Sequence, residues 1–270
     1  MRSSTRSRWT YPAVGSSVVA CAIIGAFLVG PLIPHGSQAT DIAEIKDQLR
    51  SHYPDADINH IAESPVEGLY EVYTGGRLLY ADARGEYLLE SHMTPVGESA
   101  SLTEETLRAY RAGRINDVDA NGAVIFRDHR ATGDTPRVTI FFDPTCAYCA
   151  EKHRELLPFA VNGRIEIRYL MFAPDGPNGE IADQLRGIWC ADDPRLVLTR
   201  AARGETPRPM TRGQCDAPVA EHYNLALDVG LRGTPYTVFD NGFTIPGAEP
   251  AGAIVQIANE IKHDEYFYPR

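Results

Sequence analysis

Two cysteines separated by only two residues lie near the centre of the chain, directly after a short apolar run. The run at 138–142 is followed by a turn and by the motif Cys146-Ala147-Tyr148-Cys149. This order predicts a buried strand, a turn and a helix that carries Cys146 in its first turn. Unpaired backbone N–H groups and the positive end of the helix dipole stabilise a thiolate there, so the pKa of Cys146 is expected to fall from about 8.5 toward about 3.5 to 7.5. We therefore predict that Cys146 is a nucleophile and that Cys149, one helical turn later, resolves mixed disulfides.

Three other kinds of cysteine site use similar motifs. A zinc site requires a second close pair of ligands, whereas Cys190 and Cys215 are far apart in sequence and His153 is a lone candidate. Attachment of a c-type haem requires histidine directly after the second cysteine, and Ala150 stands there instead. A purely structural bridge would close so short a loop that it would constrain little of the unfolded chain. Thiol exchange is therefore the expected role of the two cysteines, and no metal or organic cofactor is expected. His153 is expected to be a surface residue rather than a proton shuttle.

The N-terminus has the layout of an export signal. Three arginines and no acidic residue precede an apolar run at 13–33, and a small-x-small cleavage site follows at 37–39. The apolar run approaches the roughly 20 residues that span a bilayer, so an uncleaved membrane anchor is the alternative. We assign 1–39 as a signal peptide or membrane anchor and expect the rest of the chain to be exported.

Charge and cysteine content agree with an exported globular protein. The chain is 43% hydrophobic, enough for a full-sized core, and its formal net charge is −10. Without 1–39, 23 basic residues remain against 36 acidic ones, which argues against a nucleic acid as partner. An even set of cysteines also remains, and pairing is expected because exported proteins meet oxidants. These cysteines are Cys146, Cys149, Cys190 and Cys215.

The segment 40–95 is predicted to form a small α+β domain. A helix is expected over 40–52, because Ile42, Ile45 and Leu49 recur at helical spacing. Three short β-prone segments follow, separated by turns that contain glycine, as in an antiparallel meander. These segments are 69–73, 77–81 and 86–90.

The segment 96–136 is predicted to be a linker that contains one helix. Ser101 and Glu104 form a capping box at the start of this helix, and Gly113 can close it. We expect the helix to connect the two domains.

From 137 to 270 the order of elements indicates an α/β domain. A strand, the helix with the two cysteines, a second strand, several helices, a hairpin and a closing helix follow one another. The hairpin has Asn241-Gly242 at its turn, where a tight turn requires positive φ. The expected strands are 138–142, 165–171, 236–239 and 243–245, and the closing helix is 250–262.

The second half of the chain resembles the DsbC/DsbG family of periplasmic thiol:disulfide interchange proteins, and the DsbC branch in particular. The motifs that carry the resemblance occur in the family's order and context, whereas the segment 40–93 matches the family's N-terminal domain in pattern only. The motifs are Cys146-Ala147-Tyr148-Cys149, Ile188-Trp189-Cys190-Ala191-Asp192-Asp193-Pro194, Cys215-Asp216 with Ala220-Glu221-His222-Tyr223, Gly233-Thr234-Pro235, and Asn241-Gly242 with Ile245-Pro246-Gly247.

This resemblance implies a fold, an assembly and partners. The fold is a cystatin-like α+β dimerisation domain followed by a thioredoxin-like α/β domain with a helical insertion. The assembly is a V-shaped homodimer, joined through the N-terminal domains, whose catalytic domains face an apolar cleft. Family members rearrange wrong disulfides in exported proteins, show chaperone activity and are recharged by a membrane reductase resembling DsbD. The implied location is the periplasm, with the protein either free after cleavage or anchored to the inner membrane.

The resemblance also implies roles for individual residues. Cys190 and Cys215 correspond to the family's structural disulfide, whose loop of about 25 residues contributes roughly 3.5 kcal/mol in the chain-entropy model. Thr234 and Pro235 are expected to be joined by a cis bond beside the cysteine pair and to bind the backbone of an extended substrate. Tyr148 is expected to be exposed at the substrate face.

We therefore predict a disulfide isomerase and reductase that acts on misoxidised exported proteins. Two enzymatic alternatives stay open, namely a dithiol oxidase that donates disulfides and a DsbG-like reductase of sulfenic acids. The non-enzymatic alternative is a dimeric periplasmic chaperone that retains the motif. Ala147 stands where family members commonly have other small residues or proline, so the redox potential is left open as well.

Overall fold

Two β-sheets, one in each half of the chain, organise the structure. The computed structural model describes residues 42–263, so the predicted signal or anchor at 1–39 lies outside the described residues. Within 42–263, no helix combines the length and apolar character that crossing a bilayer requires. All of these residues belong to one compact unit of the chain.

The first sheet has four antiparallel strands and one helix packed against it. Its elements are α1 (Ile42–His52), β1 (Ile58–Glu63), β2 (Leu69–Thr74), β3 (Arg77–Asp82) and β4 (Leu88–Leu89). The strand order is β1-β2-β3-β4. Ile45 and Leu49 of α1 are buried against Ile58, Ile61 and Val72. The helical spacing of the apolar residues thus predicts the buried face correctly at Ile45 and Leu49. It is wrong for Ile42, which is the first residue of the helix and is 38% exposed.

Strand β1 was not expected from the sequence. Its buried residues are Ile58 and Ile61, which are three apart rather than two. A register shift between Ile58 and His60 moves Ile61 onto the covered face. Because a bulge breaks the alternation that marks a strand, the sequence pattern missed it.

Strand β4 covers only two residues of the expected strand at 86–90. The N–H groups of Glu86 and Tyr87 donate hydrogen bonds to one Asp82 carboxylate oxygen, at 2.7 and 2.9 Å. This local turn takes the place of strand pairing at the start of the segment.

The predicted capping box begins helix α2 (Leu102–Asn116), where the Ser101 side chain accepts a hydrogen bond from the Glu104 N–H at 3.3 Å. The prediction that Gly113 ends the helix is wrong, since the helix continues past it. Ile115 is fully buried in a core cluster of the second half of the chain. This tertiary packing outweighs the low helix propensity of glycine.

Among the described residues, the second half of the chain contains five strands and five helices. They are β5 (Val124–Phe126), β6 (Arg137–Phe142), α3 (Ala147–Val161), β7 (Glu166–Met171), α4 (Glu180–Trp189), α5 (Pro194–Ala201), α6 (Val219–Asp228), β8 (Tyr236–Phe239), β9 (Thr244–Pro246) and α7 (Ala251–Lys262). The strand order is β5-β7-β6-β8-β9, with β6 and β7 parallel and the other pairs antiparallel. Helices α4, α5 and α6 are inserted between β7 and β8.

Strand β5 lies in the segment expected to be a linker. It pairs with β7 in antiparallel fashion and so becomes an edge of the second sheet. A strand of three residues is too short to produce a periodic signal, so the sequence pattern does not predict it.

Strand β6 leads directly into the cysteine motif. All of its residues from 138 to 142 are buried, in agreement with the uninterrupted apolar run. Strand β6 lies in the middle of the sheet, between β7 and β8. The motif therefore lies at the carboxyl end of a central strand.

The hairpin between β8 and β9 fits closely against α2. Gly242 has a φ of 78°, as its place in the predicted turn requires. A Cβ atom at this position would lie 1.8 Å from the carbonyl oxygen of Arg108. Glycine therefore permits both the turn and the contact with the connecting helix.

Candidate functional site

Cys146 caps the N-terminus of α3. In the turn that precedes it, Asp143 Oδ1 accepts hydrogen bonds from the N–H and the hydroxyl of Thr145, both at 2.7 Å. The sulfur of Cys146 accepts a hydrogen bond from the Cys149 N–H at 3.4 Å. The expectation that Cys146 lies inside the first turn is corrected by one residue. At the cap the sulfur faces the free N–H groups of the first turn, where an oxygen usually serves.

The pKa of the Cys146 thiol is lowered to about 5. The largest cause is its hydrogen bond with the Cys149 side chain, which partial burial of Cys146 opposes. The Thr234 side chain and the N–H groups of Cys149 and Tyr148 lower the pKa further. At pH 7 nearly all of Cys146 is therefore the nucleophilic thiolate.

Cys149 has the opposite environment. It is 2% exposed, and its sulfur lies 4.0 Å from the carbonyl oxygen of Phe141. Its hydrogen bond with Cys146 and its burial both raise the pKa of Cys149. One sulfur is thus a partly accessible thiolate, and its neighbour is a buried thiol.

The loop before β8 brings Thr234 and Pro235 beside Cys146. The carbonyl oxygen of Thr234 lies 3.3 Å from Cys146 Sγ, although 88 positions separate the two residues in sequence. The Thr234–Pro235 peptide bond is cis, as predicted. The carbonyl can accept a hydrogen bond only from the protonated thiol. The Thr234 side chain lowers the pKa of Cys146 and so favours the thiolate, which predominates at pH 7.

Tyr148 lies on the solvent side of the motif. It is 62% exposed, in agreement with its expected position between the cysteines. The surface around the thiolate therefore contains the reactive sulfur of Cys146, the polar residue Thr234 and the aromatic ring of Tyr148.

The expectation that His153 lies at the surface is wrong, because His153 is fully buried. Its Nδ1 lies 3.0 Å from the Tyr169 hydroxyl and its Nε2 lies 3.1 Å from Thr199 Oγ1. Burial lowers the pKa of His153 to about 4, and the charges of Arg203 and Arg154 contribute. The residue is therefore neutral at pH 7.

A signal for this burial was present in the sequence. His153 is four residues after Cys149, and Leu156 and Ala160 continue the same helical face. All four residues are buried. Because histidine is polar, it was not counted with the apolar residues of this helical face, although its position in the sequence places it there.

Cys190 and Cys215 are joined by a disulfide, as the resemblance implied. The bond links the C-terminus of α4 to the loop before α6, with the two Cα atoms 6.1 Å apart. Cys215 is buried, and neither cysteine is near the pair on α3 in sequence. Among residues 42–263, no group of three or more His, Cys, Asp or Glu side chains is placed to hold a metal ion.

The two halves of the chain match two family models. A model described as the disulfide bond isomerase protein N-terminal domain matches residues 36–104, and a thioredoxin-like domain model matches residues 126–262. The thiol:disulfide interchange protein DsbC of Haemophilus influenzae is 31% identical over 215 residues, which cover 77% of this chain and 85% of that protein.

The chain belongs to the DsbC family. DsbC of Escherichia coli is 27% identical over 200 residues, covering 74% of this chain and 80% of that protein. The crystal structure of a disulfide interchange protein from Neisseria gonorrhoeae is similar as well, with 24% identity and a TM-score of 0.42 over 52% of this chain and 98% of that one.

Membership of the DsbC family establishes the activity in general terms. The chain is a thiol:disulfide interchange protein, an oxidoreductase of the disulfide isomerase class. Its N-terminal α+β domain precedes a thioredoxin-like domain, as the sequence analysis predicted. The cysteine pair on α3 supplies thiols of the kind that this DsbC-type chemistry requires.

Proposed function

We propose that this protein is a homodimeric periplasmic disulfide isomerase and reductase in which Cys146 is the nucleophile and Cys149 is the resolving thiol. The observation that carries the proposal is that the pKa values of the two cysteines are shifted in opposite directions. The pKa of Cys146 is lowered to about 5, whereas that of the buried Cys149 is raised. Stabilising the thiolate also favours the dithiol over the disulfide, and an isomerase begins its cycle as the dithiol.

The chemistry is a sequence of thiolate attacks on sulfur. The Cys146 thiolate attacks a substrate disulfide, forms a mixed disulfide and releases one substrate sulfur as a thiolate. That thiolate attacks another disulfide of the substrate, and a final attack on the mixed disulfide frees Cys146, so that no net electrons are transferred. When this reshuffling stalls, Cys149 loses its proton and attacks Cys146, which reduces the substrate and leaves a Cys146–Cys149 disulfide.

Substrate binding is assigned to Thr234, Pro235 and Tyr148. Thr234 lies beside the nucleophile and is partly exposed, so its backbone can pair with an extended substrate chain. Tyr148, at 62% exposure, offers an aromatic surface next to the reacting sulfur. The proposed substrates are misoxidised exported proteins, which present extended segments before they fold.

The homodimer is assigned to the N-terminal domain at 40–95. Strand β4 is an edge of the first sheet. Leu89 in this strand is 43% exposed, and Tyr87 directly before it is 66% exposed. An exposed edge with large apolar side chains is a surface that association would cover. Two catalytic domains held in one dimer keep an unfolded chain in place for repeated exchange.

The proposed function also requires a reductant for the cysteine pair and export of the chain. Each reductive turnover leaves Cys146 and Cys149 oxidised, so a membrane reductase resembling DsbD must supply two electrons. The predicted leader at 1–39 directs the chain to the periplasm, either as a cleaved protein or through an anchor at 13–33.

The test is to trap mixed disulfides with the Cys149→Ala variant. Without the resolving thiol, complexes between Cys146 and substrates should accumulate, and some isomerisation of a scrambled model protein should remain. Cys146→Ala is the matched control and should form no complexes and catalyse no isomerisation.

Three further observations would favour the alternatives. A wild-type protein stored in cells as the Cys146–Cys149 disulfide would identify a dithiol oxidase. Trapped substrates that each contain a single oxidised cysteine would identify a reductase of sulfenic acids. Full activity of the Cys146→Ala variant in preventing aggregation, with no exchange by the wild type, would identify a chaperone.

A further inference from the structure

The turn between β2 and β3 touches the loop that leads to Thr234. Gly76, in this turn, is buried and has a φ of +72°. A Cβ atom at Gly76 would lie 2.0 Å from the Cα and 2.4 Å from the N atom of Gly230. The backbones of the two glycines are therefore in direct contact, and no residue larger than glycine fits at position 76.

The same turn makes a second contact with this loop. The guanidinium of Arg232 donates a hydrogen bond to the carbonyl oxygen of Gly75 at 2.6 Å. Gly230 itself has a φ of +91°, and a Cβ there would lie 3.1 Å from the Gly76 carbonyl oxygen. Two adjacent residues of the N-terminal domain thus contact two residues of the loop between α6 and β8.

This loop is short, and both of its ends are anchored in the catalytic domain. The Leu231 N–H donates to the Ala226 carbonyl at 2.8 Å, and the Tyr236 hydroxyl donates to the Val229 carbonyl at 3.1 Å. Between these anchors, Arg232 and Gly233 are exposed. The Gly75 carbonyl therefore anchors the middle of the loop, two residues before Thr234.

We infer that Gly75 and Gly76 form a positioning element for the exchange reaction, because they hold the loop 230–234 so that Thr234 stays against Cys146. The N-terminal domain then acts on the nucleophile of its own chain, in addition to any part in assembly. This inference rests on the proposed role of Cys146 as the nucleophile. Release of the turn would let Thr234 move away from the sulfur, so that the Thr234 side chain would no longer lower the pKa of Cys146.

The test measures the rate of Cys146 alkylation against pH in the full-length protein with the Gly76→Ala substitution. Gly68→Ala is the matched control, since Gly68 also has a positive φ, +82°, but a Cβ there would meet no atom within 4 Å. Both variants carry the strain of alanine in left-handed backbone, and only Gly76→Ala disturbs the contact. We expect the midpoint of the Gly76→Ala profile to move upward by about one pH unit, so that the rate at pH 5 falls about five-fold, while Gly68→Ala matches the wild type.

Arg232 provides a second, independent variant. Arg232→Ala removes the hydrogen bond to Gly75 at an exposed position and should shift the midpoint in the same direction, while Arg232→Lys can still reach the carbonyl and should restore it. Unchanged midpoints in the folded Gly76→Ala and Arg232→Ala proteins would overturn the inference, and Arg232→Ala decides alone if Gly76→Ala does not fold. A merely structural contact would lower the melting temperature without moving the Cys146 profile.

The wild-type profile separates this inference from the proposed function. If Cys146 of the wild type shows no lowered midpoint, or if Cys149 is labelled first, the assignment of the nucleophile fails and this inference fails with it. If the wild type behaves as proposed and the variants match it, only the positioning role is refuted.

Discussion

The guanidinium of Arg114 lies 2.6 Å from the carboxylate of Asp228, which joins α2 to the end of α6. The Tyr110 hydroxyl donates to the same carboxylate at 2.6 Å, and the Asn59 side chain of β1 contacts it as well. Asp228 is 6% exposed. One buried carboxylate therefore connects the N-terminal sheet, the connecting helix and the catalytic domain.

We expect Asp228→Ala to lower the free energy of unfolding by about 2 to 4 kcal/mol, because three donors lose their shared acceptor. The side chain of Arg114 is 46% exposed and can be solvated, so most of the loss should come from Tyr110 and Asn59. Urea denaturation measures the change. The exposed Asp216→Ala is the control and should change stability by less than about 0.5 kcal/mol. Equal effects of the two substitutions would contradict the prediction.

Protein stability should decrease as the pH falls from about 6.5 to about 4. Burial lowers the pKa of both His153 and His222 from 6.5 to about 4 in the folded state. The unfolded chain therefore binds protons at a higher pH than the folded protein does, and each histidine contributes stability that is present above pH 6.5 and lost as the pH falls through 4. The loss is on the order of 3 kcal/mol for each group.

His222 offers a specific test of this pH dependence. Its Nδ1 accepts a hydrogen bond from the Met171 N–H at 3.1 Å, and its Nε2 lies 2.9 Å from the Gly122 carbonyl oxygen, so the neutral ring must carry its proton on Nε2. Protonation of Nδ1 would break the first bond. Urea denaturation of His222→Gln between pH 7 and pH 4.5 should show a flatter profile than the wild type, and an equally steep profile would exclude His222 as a cause.

The pKa of Cys146 should rise above about 5 in the Cys149→Ala variant. The hydrogen bond with Cys149 is the largest cause of the lowered value, and alanine cannot provide it. The absorbance of the thiolate, followed against pH, measures the shift, and Cys146→Ala is the control that should show no titration in this range. An unchanged or lower pKa in Cys149→Ala would mean that the Cys149 side chain does not stabilise the thiolate.

The disulfide between Cys190 and Cys215 should persist when Cys146 and Cys149 are reduced, because structural disulfides have potentials below about −300 mV. Peptide mapping after mild reduction tests this. Replacing both Cys190 and Cys215 with alanine should lower the free energy of unfolding by roughly 3.5 kcal/mol, since the bond closes a loop with a sequence separation of 25 residues. Free thiols at both positions with unchanged stability would remove the structural role.

The Leu89→Arg variant should be monomeric in sedimentation, because it places a charge on the exposed edge strand β4. The monomer should keep simple reductase activity and lose most isomerase activity, since one domain alone holds an unfolded substrate too briefly. Tyr53→Arg is the control, as Tyr53 is 53% exposed and lies between α1 and β1, the strand at the other edge of the sheet. A dimer that survives Leu89→Arg would place the interface elsewhere.

Much of the site follows from local sequence patterns. A buried apolar strand, a turn and two cysteines at a helix start are all short-range features, so the roles of Cys146 and Cys149 could be argued before the fold was known. The α+β and α/β order of elements was equally readable. Strands β1 and β5 were not predicted. Strand β1 contains a bulge that breaks its alternation, and β5 has only three residues, too few for a periodic pattern.

The partners of the buried polar residues depended on the tertiary structure alone. His153 had to be buried by the packing of α3 before Tyr169 and Thr199 could become its partners, and Asp228 meets Asn59, 169 positions earlier in sequence, across two domains. The sequence determined that Cys146 and Cys149 lie side by side, because the geometry of a helix start brings positions three apart together. Only the fold decided that Gly76 would touch Gly230, since a contact between two backbones depends on the path of the whole chain and leaves no periodic pattern in either segment.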